Sequence, residues 1–299
     1  MREGTQKWKV GIYPYLLIAP SVVTLLLLGA YPFFYSIALS FRGLNYSATG
    51  TAGHFIGFKN YIDILGDYAF WNSMLLTAVI AVIALPLEFL IGFGVANLFN
   101  REFKGRKVAI SLFLVPSVLA PVLVALIWKF LLAGTWGLVT YGFFNKVGLF
   151  TDSSVFGSPG SALIAIVAID IWEWAPFIAL VFLAGLQSLP VRPFEAAVVD
   201  GASPWQVLRH HTLPMLSPLF VIMGFIRIID LFKIFDVIFI TTGGGPGTST
   251  ETISIFLLRK TFALWQLGQA TALAVIVFII FYVLCIIFFK IAQRRYKVF

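Results

Sequence analysis

The chain has 299 residues, of which 60% are hydrophobic and 11% carry a charge. An ordinary soluble domain has about 45–50% apolar and about 25% charged residues, so this composition excludes a soluble globular protein and indicates a membrane protein. The net charge of +8 does not point to a nucleic-acid partner here, because the basic residues cluster between apolar runs, where they set membrane orientation.

Six apolar runs are long enough to cross a bilayer, which takes about 20 residues of helix. They lie at residues 15–35, 73–99, 108–132, 162–186, 216–240 and 267–289. Prolines inside several runs are tolerated where neighbouring helices satisfy the freed backbone groups. We therefore expect an all-α, polytopic membrane protein with about six transmembrane helices and a single domain over residues 1–299, embedded in the lipid bilayer.

Lysine and arginine are distributed unevenly between the connections of these runs. One side carries Arg42, Lys59, Lys146, Arg259 and Lys260, and the other carries Arg2, Lys7, Lys9, Arg101, Lys104, Arg106, Lys107, Arg192, Arg209, Lys290, Arg294, Arg295 and Lys297. The more basic side is cytoplasmic by the positive-inside rule. Both termini and the segment between the fourth and fifth runs are therefore predicted to face the cytoplasm.

That segment, residues 191–215, contains signals for two short helices joined by a bend. Pro193 suits the start of a helix and Gly201 its end, while Ser203 and Gln206 form a capping box for a second helix that we expect Pro214 to end. Small alanines and apolar Trp205, Val207 and Leu208 could seat this 191–215 loop in a groove of another protein.

The same segment carries a family resemblance. Glu195-Ala196-Ala197, then Gly201 and Leu213-Pro214, resembles the EAA loop of the permease subunits of ATP-binding-cassette (ABC) importers, although His211 departs from the aliphatic residue usual there. The resemblance implies a type I importer fold and a loop that docks on an ATP-binding subunit. The implied coupling residues are Glu195, Ala196, Ala197, Asp200, Gly201, Ala202, Trp205, Leu208, Leu213 and Pro214.

Two further stretches resemble the sugar-importing branch, which includes maltose and trehalose permeases. They are residues 171–177 with 183–187, and Phe235-Asp236 followed by the glycine-rich residues 242–247. The glycine run lacks the GK[ST] ending of a phosphate-binding loop. The resemblance implies a second permease subunit, or a copy of this chain, and an extracytoplasmic sugar-binding protein. It also implies two ATP-binding subunits that hold ATP and magnesium, so we expect no cofactor and no catalysis in this chain.

Ionisable residues inside the fourth and fifth runs are costly in a bilayer and usually face a cavity or a partner. Asp170, Trp174 and Phe177 share one helix face, and Arg227, Asp230, Leu231 and Ile234 share another. Such polar and aromatic faces suit a polyhydroxylated ligand with an apolar ring face, and we predict that they line the substrate pathway. Glu173, Lys233 and Asp236 are expected to lie off these faces, and Glu88 has no obvious partner.

Three alternatives remain open at this point. Arg227 and Asp230 could form an i,i+3 ion pair with a structural role only. Asp170, Glu173 and Asp230 could relay protons in an ion-coupled secondary carrier, although such carriers often show internal repeats. A membrane enzyme is disfavoured, because the three histidines form no HExxH motif and no GxSxG nucleophile elbow is present. Cys285 is the only cysteine, so neither an intramolecular disulfide nor a cysteine metal site is expected.

Overall fold

A computed structural model describes residues 13–45, 53–134, 136–140, 142 and 154–296. Within these ranges the regular secondary structure is helical, apart from isolated bridge residues such as the antiparallel pair Arg42 and Phe55. The α-helices, in chain order, are α1 (Tyr13–Leu25), α2 (Tyr31–Ser40), α3 (Lys59–Leu65), α4 (Tyr68–Phe99), α5 (Arg106–Val118), α6 (Pro121–Leu131), α7 (Pro159–Gln187), α8 (Arg192–Val199), α9 (Pro204–Val207), α10 (Leu213–Phe232), α11 (Asp236–Thr241), α12 (Ile253–Leu258) and α13 (Leu267–Tyr296).

In the described part of the chain, π-type segments and a 3₁₀ turn supplement these helices. The π segments are Leu26–Ala30, Leu208–Thr212 and Arg259–Ala263, and the 3₁₀ turn is Val155–Gly157. The first two π segments join helices without interrupting them, so α1 with α2, and α9 with α10, form longer continuous rods. The expected all-α class is confirmed.

Five helical stretches among the described residues are long and apolar enough to cross a membrane. They are Tyr15–Ser40, Tyr68–Phe99, Pro159–Gln187, Pro204–Thr241 and Leu267–Lys290. A sixth is formed if α5 and α6, which meet at an angle of 95°, count as one broken span. The prediction of about six spans is confirmed.

The third predicted span, residues 108–132, was wrong in one respect, since it is not one straight helix. Ala120 precedes Pro121 and adopts an extended backbone with φ −65° and ψ 136°. A residue before proline is driven out of the α region by the proline ring, so α5 ends at Val118 and α6 starts afresh at Pro121.

The larger compact unit comprises residues 67–259 and 279–299, and its centre is the packing of α4 against α7. Asp67 caps α4 by accepting a hydrogen bond from the Ala69 backbone nitrogen at 2.9 Å. Gly92 permits the close approach of the two helices, because a Cβ there would lie 2.7 Å from Cγ2 of Ile178. Helix α10 packs on both helices, which brings residues from three predicted spans together.

The smaller unit comprises residues 1–66 and 260–278. Asn60 on α3 ties it together by donating hydrogen bonds to the carbonyls of Ser40 at 2.7 Å and Arg42 at 2.9 Å. The backbone of Gly268 donates to the carbonyl of Leu44 at 3.1 Å. Residues 46–52, 135, 141 and 143–153, in the two connections that carry the fewer basic residues, lie outside the described residues.

Candidate functional site

Three buried charged residues from three different spans meet in the larger unit. Arg227 of α10 donates from Nε to Oε2 of Glu88 at 2.8 Å and from Nη2 to Oε1 of Glu88 at 2.5 Å. Its Nη2 also donates to Oδ2 of Asp170 at 2.7 Å. These residues are only 1%, 0% and 3% exposed, respectively. This charge triad (Glu88, Asp170 and Arg227) therefore links α4, α7 and α10 through charge-assisted hydrogen bonds, the strong class of hydrogen bond.

Trp174 completes the surroundings of the arginine. The guanidinium carbon of Arg227 lies 4.5 Å from the centroid of the indole ring, within the range of a cation–π contact. Phe177, one turn further along α7, packs edge-on against Trp174 with centroids 6.2 Å apart and is 40% exposed. The predicted face of α7 thus holds an acid, an indole and a phenyl ring in one row.

Beside the charge triad lies a cavity of about 220 Å³, which we call the polar cavity. It is bounded by residues of α7, α10, α11 and the start of α6. Its lining consists of Pro121, Asp170, Glu173, Trp174, Arg227, Asp230, Lys233, Ile234, Phe235, Asp236 and Val237. Five of the seven predicted pathway residues are among them: Asp170, Trp174, Arg227, Asp230 and Ile234. The other two, Phe177 and Leu231, are not, and Leu231 is fully buried in the hydrophobic core.

The expectation that Glu173, Lys233 and Asp236 lie off the predicted faces was wrong, because all three line the polar cavity. Residues 216–240 were expected to form one continuous helix. In the structure α10 ends at Phe232, and the helix resumes as α11 only at Asp236. This break shifts the angular position of every later side chain. Glu173 lies only about 60° around α7 from Asp170, close enough to share the wall.

The suggested ion pair between Arg227 and Asp230 was also wrong. Glu88 and Asp170 already occupy the guanidinium. Asp230 instead faces Lys233, with Oδ1 and Nζ 3.4 Å apart, and the lysine side chain is 62% exposed. The sequence could have limited the partner of Glu88 to the three basic residues of the predicted spans, Lys129, Arg227 and Lys233, because a buried carboxylate needs a compensating group.

The 191–215 loop folds as two helical segments joined by a bend, as predicted. Gly201 follows the end of α8 with φ +75°, a conformation that favours glycine. The capping box is present, with the Ser203 backbone donating to Oε1 of Gln206 at 2.7 Å and the Gln206 backbone donating to Oγ of Ser203 at 3.4 Å. His211 packs against Phe194 with ring centroids 6.3 Å apart, so the histidine that departs from the family pattern is accommodated within the bend.

The bend presents several of the predicted coupling residues at the surface. Exposed members are Glu195, Ala196, Asp200, Gly201, Trp205 and Pro214, while Ala202, Leu208 and Leu213 are half-buried and Ala197 is buried. Trp205 is 65% exposed. Val198 and Val199, which are not among the predicted coupling residues, are 71% and 87% exposed. Their signal was two adjacent apolar residues separated from the helix-ending Gly201 only by Asp200.

The prediction that Pro214 ends the second helix was wrong. Helical backbone continues from α9 through the π segment Leu208–Thr212 into α10, with Pro214 in the first turn of α10. Proline in a helix normally collides with the carbonyl four residues earlier. The wider π turn, closed by a hydrogen bond from the Leu213 nitrogen to the Leu208 carbonyl, accommodates the ring. The loop therefore joins the fifth span through continuous helical backbone.

Sequence comparison places these features in a known family. The profile of the family described as "Binding-protein-dependent transport system inner membrane component" matches residues 88–298, more than half of the chain. The chain belongs to this family. The match covers both the charge triad and the 191–215 loop, so the described site lies within the shared region of this transport component.

Individual relatives in this family support the same assignment. The probable ABC transporter permease protein y4oQ of Sinorhizobium fredii is 36% identical over 255 residues, which cover 85% of this chain and 82% of that protein. The trehalose/maltose transport system permease protein MalF of Thermococcus litoralis is 32% identical over 241 residues, covering 81% of both chains. This family member is a permease of an ABC importer.

The fold also matches a solved importer. A chain of a bacterial ABC transporter involved in the import of the acidic polysaccharide alginate superposes with a TM-score of 0.80 at 22% identity, covering 94% of this permease and 95% of that chain. This level of identity supports the fold alone. The type I importer permease fold expected from the sequence is confirmed.

Proposed function

We propose that this permease forms half of the translocation pathway of an ATP-driven importer and that its cargo is a sugar. The observation that carries the proposal is the polar cavity, in which acids, a guanidinium and the Trp174 indole converge from α7 and α10. Hydroxyl groups need both donors and acceptors, and the CH face of a sugar ring packs on an aromatic plane. The names of relatives such as the trehalose/maltose permease support the same cargo class.

The rest of the importer consists, in this proposal, of separate chains. A second permease subunit or a second copy of this chain completes the pathway, and a binding protein delivers the sugar at the outer face. Two ATP-binding subunits hold ATP and magnesium and hydrolyse the nucleotide. The exposed Trp205 of the 191–215 loop supplies an aromatic anchor of the kind that dominates protein interfaces. The exposed Val198 and Val199 add apolar contact area.

The orientation follows from charge. Both termini and the 191–215 loop face the cytoplasm in this proposal, because thirteen of the eighteen lysine and arginine residues between the predicted spans lie on that side. The protein is a multi-pass component of the cytoplasmic membrane.

The ion-coupled alternative gains no support from the site. Of the three carboxylates in that alternative, Asp170 accepts a hydrogen bond from Arg227 and Asp230 faces Lys233. Within the described residues only Glu173 is left free among them, and a single free carboxylate does not make a relay. Family membership also points to a binding-protein-dependent system. ATP coupling is therefore the better account of the energy source.

The decisive experiment is reconstitution of the purified complex with its binding protein in liposomes. A panel of sugars is screened for stimulation of ATP hydrolysis and for ATP-dependent uptake. We expect at least one neutral sugar to stimulate both. Uptake driven by a proton gradient without ATP would refute the importer proposal in favour of the secondary carrier.

A matched pair of tryptophan variants tests the site. Trp174→Ala removes the aromatic plane of the polar cavity and should lower uptake about tenfold. A tenfold change corresponds to about 1.4 kcal/mol, which lies within the range of a cation–π or stacking contact. Trp172→Ala is the control, because Trp172 packs edge-on against Trp128 with centroids 5.4 Å apart and does not line the polar cavity. Equal loss in both variants, at equal complex yield, would contradict the assignment.

A further inference from the structure

The charges around the polar cavity do not balance. Four lining carboxylates, those of Asp170, Glu173, Asp230 and Asp236, face two lining cations, those of Arg227 and Lys233. Glu88 adds a further carboxylate behind Arg227. The lining residues alone therefore carry a formal excess of two negative charges, and Glu88 raises it to three. Such an excess disfavours an anionic ligand.

Two of these carboxylates account for the excess. Glu173 is only 4% exposed, and among the described residues its carboxylate has neither an ion-pair partner nor a hydrogen-bond donor. Asp236 likewise has no ion pair within the described part of the chain. Asp230 differs from both, because Lys233 lies 3.4 Å away. Glu173 is thus a buried, unpartnered acid directed into a cavity of about 220 Å³.

We propose that Glu173 and Asp236 are specificity-determining residues that make this pathway carry neutral or cationic sugars and reject anionic ones such as sugar phosphates and uronic acids. The inference rests on the proposed function, in which the polar cavity is the sugar path, and adds the charge class of the cargo. Free carboxylates accept hydrogen bonds from sugar hydroxyls or an ammonium group. An anionic substituent at the same place is repelled by the negative charge of these carboxylates.

Coulomb's law sets the scale of the discrimination. One uncompensated unit charge 5 Å away changes the occupancy of a monovalent ion by about fourfold in bulk water and about 300-fold at the effective permittivity near a protein surface. With two uncompensated carboxylates in a cavity that is partly open, we expect a preference for cations over anions of about tenfold or more.

The charge of the cavity can be measured without knowing the transported sugar. In the assembled complex, Cys285→Ser removes the native thiol, and Ile234→Cys introduces one at the cavity wall. Modification rates are measured with a trimethylammonium-bearing and a sulfonate-bearing methanethiosulfonate of similar size. Each rate is divided by the rate with a small thiol in solution. The normalised rate ratio of cation to anion should be about ten or more.

Neutralising the two acids tests their role. Adding Glu173→Gln and Asp236→Asn should lower the normalised ratio at least fivefold, whereas Glu102→Gln, the same chemical change at an exposed residue outside the cavity, should leave it unchanged. A parental ratio near one, or a ratio insensitive to the double substitution, overturns the proposal. If the double variant does not assemble, a parental ratio that fails to fall on raising the salt concentration overturns it as well, because screening weakens charge effects.

A protection measurement links the charge to the cargo. Trehalose should slow modification of the introduced thiol more than trehalose 6-phosphate does, and the two should protect equally after the double substitution. Equal or stronger protection by the phosphate in the parental complex refutes the charge selection. Protection by neither sugar counts against the polar cavity as a sugar path, and therefore against the proposed function, while the rate ratio still decides the charge of the cavity.

Discussion

Replacing Arg227 by methionine should destabilise the protein far more than any other removal of a single positive charge in the described spans. The substitution keeps an unbranched side chain but deletes three charge-assisted hydrogen bonds, two to Glu88 and one to Asp170. The carboxylates of Glu88 and Asp170 then stay buried, at 0% and 3% exposure, without the cation that compensated them. Breaking a buried pair in this way costs about 3–5 kcal/mol, because a buried charge is left uncompensated.

The expected loss is large enough to measure on the purified protein in detergent. For a chain of this size about 1 kcal/mol corresponds to roughly 2–4 °C in Tm, so Arg227→Met should lower Tm by roughly 6–20 °C. Thermal unfolding is measured by the loss of the monodisperse peak in size-exclusion chromatography after heating. The yield of assembled complex is a second readout. Lys233→Met is the matched control, since its pair with Asp230 is largely exposed and such pairs contribute about 0–1 kcal/mol.

A rescue variant separates charge from shape. Adding Glu88→Gln and Asp170→Asn to Arg227→Met removes the stranded charges while keeping side-chain size. Much of the lost stability should return, because a neutral buried cluster avoids the desolvation penalty of two unpaired ions. If Arg227→Met is no worse than Lys233→Met, or if the triple variant is as unstable as the single one, the charge triad does not hold the three helices together.

Three further outcomes follow from the backbone and the topology. Gly92→Leu should cost about 1–3 kcal/mol by overpacking the contact with Ile178, whereas full thermal stability would show that α4 and α7 can separate freely. Gly201→Val forces a β-branched residue into a φ of +75° and should lower sugar-stimulated ATPase activity about tenfold. Gly201→Asn should lower this activity much less, since asparagine tolerates the conformation. Equal activity of both variants would refute the role of the bend in coupling. In intact cells, a cysteine in place of Ser203 should react only from the cytoplasmic side and one in place of Ser158 only from outside, and labelling of both from one side would refute the orientation.

Much of the architecture could be predicted because its signals are local. A run of about 20 apolar residues forms a helix wherever a bilayer supplies no other partner for the backbone. The capping box at Ser203 and Gln206 involves residues three apart, and the left-handed Gly201 depends on its own missing side chain. The 191–215 loop was therefore predictable except at Pro214, where a π segment, a feature without a simple sequence signal, carries the helix onward.

The partner of Glu88 required the tertiary structure. Glu88 and Arg227 are 139 residues apart, and their meeting depends on how α4 and α10 are rotated about their own axes. A helix that is apolar all round carries little information about which face points inward. Sequence alone could say that the charge needs a partner, but only the packing of α4, α7 and α10 selects Arg227.

The polar cavity, likewise, was predictable from the sequence only in part. The sequence by itself determined that acids and an indole share faces of the fourth and fifth spans, because the period of a helix is known. It could not determine that α10 stops at Phe232 and that α11 restarts at Asp236, which turns Lys233 and Asp236 toward Glu173. Breaks of this kind are decided by long-range packing against neighbouring helices, whose energies exceed the small differences in local helix propensity.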